Sequence, residues 1–260
     1  MAGNIPMVGF HDMLSVLISG HQFLGKLSSK DNQLLDMMAR MLHHINPQWK
    51  ELIDFRTQPL SSKNDFDAII ATGSDNSARY FHAYFGKYPH IIRRNRNAIA
   101  IITGKESQKE LQALGSDIFL YFGLGCRNVS KLLIPKGYPL ASLLATWEPY
   151  GNIIQHNKYA NNYDYHKSIY LMNGIEHLDT GFLLLKEDTA VASPIGVVFY
   201  EYYSDIHSTY DWVNAHKQQI QCIVGNCPEL PEVIPFGKAQ EPDLGDYADN
   251  VDTLEFLTKL

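Results

Sequence analysis

The feature that most constrains this chain is a repeated punctuation. Short apolar runs end in Thr-Gly, and helical patterns follow them. Phe66 to Ala71 (FDAIIA) reads as a short buried strand closed by Thr72-Gly73-Ser74, with a helix expected over roughly Ser77–Phe85. Ala98 to Ile102 (AIAII) reads as a second buried strand, closed by Thr103-Gly104. The following pattern, Ser107 to Phe122, predicts a helix that leads into Gly123-Leu124-Gly125-Cys126. Phe23–Leu27 predicts a strand. Ser29 is placed to cap a helix from about Asp31 to His44, with Leu34, Leu35, Met38, Met41 and Leu42 on one face. Further strands are expected at Lys131–Pro135, Gly181–Leu185, Val197–Tyr202 and Ile220–Val224. Strand–helix alternation with glycine-bearing turns predicts an α/β fold with a doubly wound sheet, which binds ligands beyond the carboxyl ends of its strands. A domain boundary is expected near Pro89–Asn97, where charge and composition shift.

Composition narrows the function classes. Hydrophobic residues make up 45% and charged residues 19% of 260, which suits a substantial core. The formal net charge of -6 argues against a general affinity for nucleic acid, and the Arg93-Arg94-Asn95-Arg96 cluster is too small to reverse that. Three cysteines, Cys126, Cys222 and Cys227, make a poor disulfide framework and point to a reducing cytoplasm. No apolar run reaches the ~18 residues of a membrane span, and the first residues lack the pattern of a signal peptide.

Few residues are placed to do chemistry. Cys126 follows Gly-Leu-Gly, where small residues admit a ligand to the backbone, and Arg127 beside it would favour a thiolate. Two readings stay open for it, a nucleophile and a buried structural cysteine. Cys222 and Cys227, with His216 upstream, are a weak zinc pattern inside a run that reads better as a strand. His43-His44 near a helix end reads as a surface or capping pair. Thr72 to Ala78 joins a strand to a helix start and could present backbone N–H groups to a phosphate, or could be an ordinary capped start.

Taken in order, these pieces resemble the aldehyde dehydrogenase superfamily. They are most similar to the bacterial fatty acyl-CoA reductase (LuxC-like) family, which supplies aldehyde for luminescence. The stretches that carry the resemblance are GNIPMVGFHD, ATGSDNSARYF and FGLGCRNVSKLLIP, and it covers nearly the whole chain. Asn4 in Gly-Asn-Ile-Pro resembles the asparagine of the superfamily's Asn-x-Pro turn, an oxyanion donor. Lys26 and Ser28 resemble the lysine and serine of a Lys-Pro-Ser motif at the adenosine ribose, with Leu27 in place of the proline. Gly73 and Ser74 match the turn that holds the cofactor pyrophosphate, and Cys126 matches the nucleophile. Pro235-Phe236-Gly237 resembles a late segment of the catalytic domain.

Two departures stand out. Hydrolytic relatives carry a water-activating glutamate in Glu-Leu-Gly-Gly, yet no aspartate or glutamate occurs from Asn76 through Lys105, which covers the matching region Ile91–Asn97. The nicotinamide-ribose segment Glu-x-Phe-Gly-Pro is matched only by Ser193-Pro194-Ile195-Gly196-Val197, without the glutamate.

The resemblance implies a partial Rossmann-like cofactor domain over residues 1–92, an α/β catalytic domain over 93–237, and a tail over 238–260 that returns to the first domain or meets another subunit in a homo-oligomer. It implies an amino-terminally shortened acyl-CoA reductase that turns long-chain acyl-CoA into aldehyde through an acyl-cysteine, with NADPH, or else NADH, as cofactor. The alternatives are a short-chain acylating aldehyde dehydrogenase and a non-catalytic remnant acting as a binding or assembly partner.

Overall fold

A computed structural model describes residues 1–58, 60, 66–228, 230 and 232–260. They form two compact units, Met1–Asn95 with Leu244–Leu260, and Arg96–Asp243.

The first unit pairs short parallel strands in two sheets. Helix α1 (Phe10–Ile18) precedes β1 (Phe23–Lys26), and α2 (Leu34–Ile45) connects it to its parallel partner β2 (Ile53–Arg56). Strand β3 (Ile69–Thr72), α3 (Asp75–Phe85) and β4 (His90–Arg93) make a second strand–helix–strand unit, again parallel. Met13, Phe23, Leu27, Leu35, Ala39 and Ile53 close the core around the first pair. Leu244–Leu260 is held to this unit by polar ties. The His11 ring pairs with the Leu244 carbonyl at 2.9 Å and the His21 ring with that of Leu257 at 2.9 Å. Buried Arg93 grips both Asp12 carboxylate oxygens at 2.8 Å and donates to Thr253 Oγ1 at 3.0 Å.

The second unit is built on a seven-stranded sheet. In chain order its elements are β5 (Asn97–Ile101), α4 (Gln108–Phe119), β6 (Val129–Pro135), α5 (Leu140–Ala145), α6 (Asn157–Met172), β7 (Leu178–Asp179), β8 (Leu184–Glu187), β9 (Val197–Tyr203), α7 (Ile206–His216), β10 (Ile220–Gly225) and β11 (Val233–Ile234). The strand order is β11-β10-β5-β6-β9-β8-β7, parallel except for the β7–β8 pair. Period-two alternation in β5 sends Ala98 and Ala100 into one core with Trp147, Leu114 and Ile118. It sends Ile99 and Ile101 into the opposite core, beside Trp212 of α7. Both faces are covered, so β5 is apolar throughout. Strand β6 breaks that rule with Lys131. Its ammonium is fully buried, bonded to Glu201 Oε2 at 2.9 Å and to the Asp188 carbonyl. Burial pushes this amine below its ordinary range, although Glu201 opposes the shift.

The architecture is the α/β one that the strand–helix alternation predicts, with corrections in detail. The expected Phe66–Ala71 strand runs instead over Ile69–Thr72 and is only half-buried, because its sheet has two strands. Ser29 does not cap α2. The helix starts after Gln33, and Asp31 Oδ1 accepts from the Leu34 N–H at 3.4 Å. Met41 is 60% exposed, and the buried stripe passes through Leu35 and Ala39. The strand expected from Gly181 begins at Leu184, because Gly181 has φ +88 in the preceding turn. The helix expected to reach Phe122 stops at Phe119. Among the described residues no helix is long and apolar enough to cross a membrane.

Candidate functional site

The cysteine loop is shaped from both ends. Helix α4 starts with a reciprocal capping box, in which Ser107 Oγ accepts from the Glu110 N–H and the Glu110 carboxylate accepts from the Ser107 N–H. At its other end the chain turns sharply through Leu120–Gly123, and Tyr121 (φ 52), Phe122 (φ 60) and Gly123 (φ 71) are successively left-handed. Glycine bears this easily, whereas each bulky residue costs about 1–2 kcal/mol. Something outside the turn must therefore hold it. Gly125 is then buried, Cys126 is exposed and in no disulfide, and β6 begins at Val129. The alternative of a buried structural cysteine is thus set aside for Cys126. It holds instead for Cys227, which is buried in the core against Ile99 and Ile101.

Two polar side chains that sequence reasoning passed over organise this loop. Asn128 is 3% exposed. Its Nδ2 donates to the carbonyls of Asp117 (3.1 Å), Ile118 (3.3 Å) and Leu120 (2.8 Å), and its Oδ1 accepts from the Gly125 N–H at 2.7 Å. Asp117 is fully buried at the end of α4. Its carboxylate accepts from the Gly237 N–H at 2.6 Å and the Ala239 N–H at 3.0 Å, so it fixes the Pro235-Phe236-Gly237 turn. Desolvation pushes its pKa up from 3.8 to about 6, against the pull of those two N–H groups. Arg127 Nη1 donates to the Ala239 carbonyl at 3.3 Å from the other side. A signal for Asp117 did exist in the sequence. It lies three residues after Leu114 and one before Ile118, on the apolar stripe of the helix.

The other candidates belong to the first unit. Lys26 ends β1 and Ser28 follows it. A Cβ at Gly3 would lie 2.7 Å from Ser28 Cβ and 3.2 Å from the Asp31 N, so the turn that presents exposed Asn4 rests against the segment after β1. The Met7 N–H donates to Asp31 Oδ2 at 3.0 Å and fixes that approach. Gly73 follows β3, and a Cβ there would meet Ser77 Cβ at 2.7 Å and Phe81 Cε2 at 3.0 Å. Only glycine lets this turn lie so close to α3. Ser74 caps α3 by accepting from the Ser77 N–H at 3.3 Å. Asn4, Lys26, Ser28, Gly73 and Ser74 thus share one unit, and Cys126 belongs to the other.

The departures have structural counterparts. In β4, Ile91 and Arg93 are buried, and Arg93 answers to Asp12, so this strand supplies no carboxylate. Ser193 to Val198 lines a small cavity of about 30 Å³ with Asn97, Asn128 and Tyr159. A larger depression of about 360 Å³, lined by Gln108, Gln112, Thr146 and Glu148, contains none of the candidates. Among the described residues no cluster of three histidine, cysteine or acidic side chains could hold a metal.

The fold of these two units is that of the aldehyde dehydrogenases. A solved aldehyde dehydrogenase from Bacillus cereus in complex with NAD+ superposes with a TM-score of 0.66 at 12% identity, over 87% of this chain and 54% of that one. An indole-3-acetaldehyde dehydrogenase from P. syringae, in complex with NAD+ and IAA, gives 0.65 at 13% identity, over 88% and 55%. Proline utilization A from Bradyrhizobium japonicum gives 0.63 at 11%, over 82% of this chain and 26% of that one. The chain therefore spans about half the length of the first two structures. No protein-family model matches the sequence, and no curated protein matches it by sequence.

Proposed function

We propose that this chain carries the nucleophilic cysteine of an acyl-CoA reductase that forms aldehyde from a long-chain acyl-CoA. The observation that supports this most is the exposed Cys126, on a glycine-flanked loop held from beneath by buried Asn128, in a chain with this fold. The Cys126 thiolate attacks the thioester carbonyl, a new C–S bond forms, and the carbonyl electron pair moves to oxygen. The oxyanion is stabilised by the Cys126 N–H, with Asn4 assigned as second donor by the resemblance of its turn. Collapse expels the CoA thiolate and leaves acyl-Cys126.

The turn after β3 is assigned to the cofactor pyrophosphate by its resemblance, and its build supports that reading. Gly73 has no room for a Cβ, and α3 opens with the hydroxyls of Ser74 and Ser77 at its positive end. A reduced nicotinamide dinucleotide, NADPH in preference to NADH, would be held there and by Lys26 and Ser28, and would supply the hydride that turns the acyl-cysteine into aldehyde. With no acidic side chain from Asn76 through Lys105, water lacks an activating carboxylate in that stretch. That favours acyl exchange with a thiol over hydrolysis. The three cysteines outside disulfides suit a reducing cytoplasm.

NADPH and NADH oxidation across an acyl-CoA length series tests the reading. Turnover should rise with chain length, vanish in Cys126→Ala, and fall about 10²–10³-fold in kcat in Asn4→Ala. Normal turnover in Cys126→Ala would remove it.

A further inference from the structure

We infer that Asn128 is the positioning residue of the nucleophile loop, setting the geometry of Cys126 from two residues downstream without touching the reacting atoms. This inference rests on Cys126 being the nucleophile. A helix end leaves its last carbonyls without intrahelical donors, and at the end of α4 one foreign side chain supplies them. The two N–H bonds of Asn128 Nδ2 are spread over the carbonyls of Asp117, Ile118 and Leu120 at 3.1, 3.3 and 2.8 Å. Its Oδ1 faces the other way and takes the Gly125 N–H at 2.7 Å. The Asn128 N–H returns to the Gly125 carbonyl at 3.1 Å, closing a reciprocal ring across Cys126. The Asn128 carbonyl accepts from the Ala98 N–H at 3.2 Å, so the whole clamp is anchored to β5. One residue therefore ties the residue before the cysteine and the end of the preceding helix through its side chain, and both to the sheet through its main-chain carbonyl.

The clamp accounts for the left-handed Tyr121 and Phe122. Neither residue favours that conformation, yet the chain must turn there for the Leu120 carbonyl to reach Asn128. The job needs two donor hydrogens and an acceptor oxygen on one short arm, which the asparagine amide provides; leucine has no donor, aspartate none when ionised, and serine only one.

The test separates positioning from mere stability. In folded Asn128→Ala, single-turnover acylation of Cys126 by a long-chain acyl-CoA should fall at least tenfold, because small misplacements of a reacting group are costly. Alkylation of Cys126 by iodoacetamide, which demands no fixed approach, should change less than threefold, and Cys227 should stay unreactive. Parallel loss of both reactions, or a gain of reactivity at Cys227, would mark general loosening and overturn the inference. Unchanged acylation would overturn it too. In the unmodified protein the Gly125 amide should be protected from hydrogen exchange, and in Asn128→Ala it should exchange at least tenfold faster. Asn128→Asp keeps the acceptor and loses the donors, so it should keep Gly125 protected while acylation falls. An unprotected Gly125 amide in the unmodified protein refutes the clamp whether or not the variants fold. Absence of acylation in the unmodified protein instead refutes the nucleophile reading, and the exchange arm still decides the clamp.

Discussion

Asp117 should make the second unit's stability depend on pH in a direction opposite to that of a salt-bridged carboxylate. Its folded pKa is raised from 3.8 to about 6, chiefly by burial, with the charge of Glu241 adding to the shift. The folded state thus holds the proton more tightly than the unfolded chain. The stabilisation this gives is fully present below about pH 3.8 and is lost as pH rises through about 6. A difference of roughly two pH units at 1.36 kcal/mol each sets an upper bound of about 3 kcal/mol. Asp117→Asn removes the titration while keeping the shape. The amide can accept from only one of the Gly237 and Ala239 N–H groups, so a pH-independent loss is expected on top. The informative quantity is therefore the difference between the two proteins as a function of pH. Urea unfolding followed by the fluorescence of buried Trp147, which packs edge-on against Phe119 at 6.2 Å, reports on this core. Between about pH 4 and pH 7 the variant should gain on the unmodified protein by up to about 3 kcal/mol. A difference flat to within about 0.5 kcal/mol across that range would refute the reasoning.

Two further substitutions test other parts of the account. Gly73→Ala drives a Cβ into Ser77 and Phe81, at 2.7 and 3.0 Å. It should cost about 1–3 kcal/mol and weaken dinucleotide binding by equilibrium dialysis. Tight binding with unchanged melting would contradict the close approach of that turn to α3. Glu201→Leu removes the carboxylate paired with the buried ammonium of Lys131, leaving it the Asp188 carbonyl, and should cost up to about 3 kcal/mol, discounted for the partial exposure of Glu201. Adding Lys131→Met should restore part of that loss in the urea midpoint. A further fall in the double variant would show that the charge pair itself carries the stability.

The sequence made the central sheet legible because its middle strands β5 and β6 are buried on both faces. Ala98–Ile102, closed by Thr103-Gly104, and Val197–Tyr202, opened by Gly196, stand out as largely apolar runs, and both lie within two residues of strands β5 and β9. The peripheral strands β2 and β4 escaped notice. Each has four residues and one neighbour, and Ile53–Arg56 mixes apolar with charged positions. Helix α6 was also silent. Its buried residues, Tyr159, Tyr163 and Tyr170, are spread through a polar stretch and give no clear apolar stripe. At the candidate site Gly123 and Gly73 were readable, because each answers a steric need, a left-handed turn at Gly123 and a close approach to α3 at Gly73. Asn128 was not, and Asp117 showed only as a carboxylate on the apolar stripe of α4, with no sign of its partners. Their roles depend on which carbonyls and amides meet them across 10 and 120 residues of chain. The helix stop at Phe119 has the same cause. Nothing before Gly123 breaks a helix, and the break is imposed from Asn128.

The central claim is that Cys126 takes an acyl group from a thioester and holds it. Intact-mass spectrometry of the chain after exposure to labelled long-chain acyl-CoA, without reduced cofactor, tests this most directly. General-base help to water is worth about 10²–10⁴ in rate, and the stretch from Asn76 through Lys105 offers no carboxylate to give it. The account predicts a stable adduct that maps to Cys126, is released by hydroxylamine, is absent in Cys126→Ala, and is discharged as aldehyde when NADPH is added. Rapid release of free fatty acid without cofactor, or an adduct at Cys222 or Cys227 in place of Cys126, would contradict it.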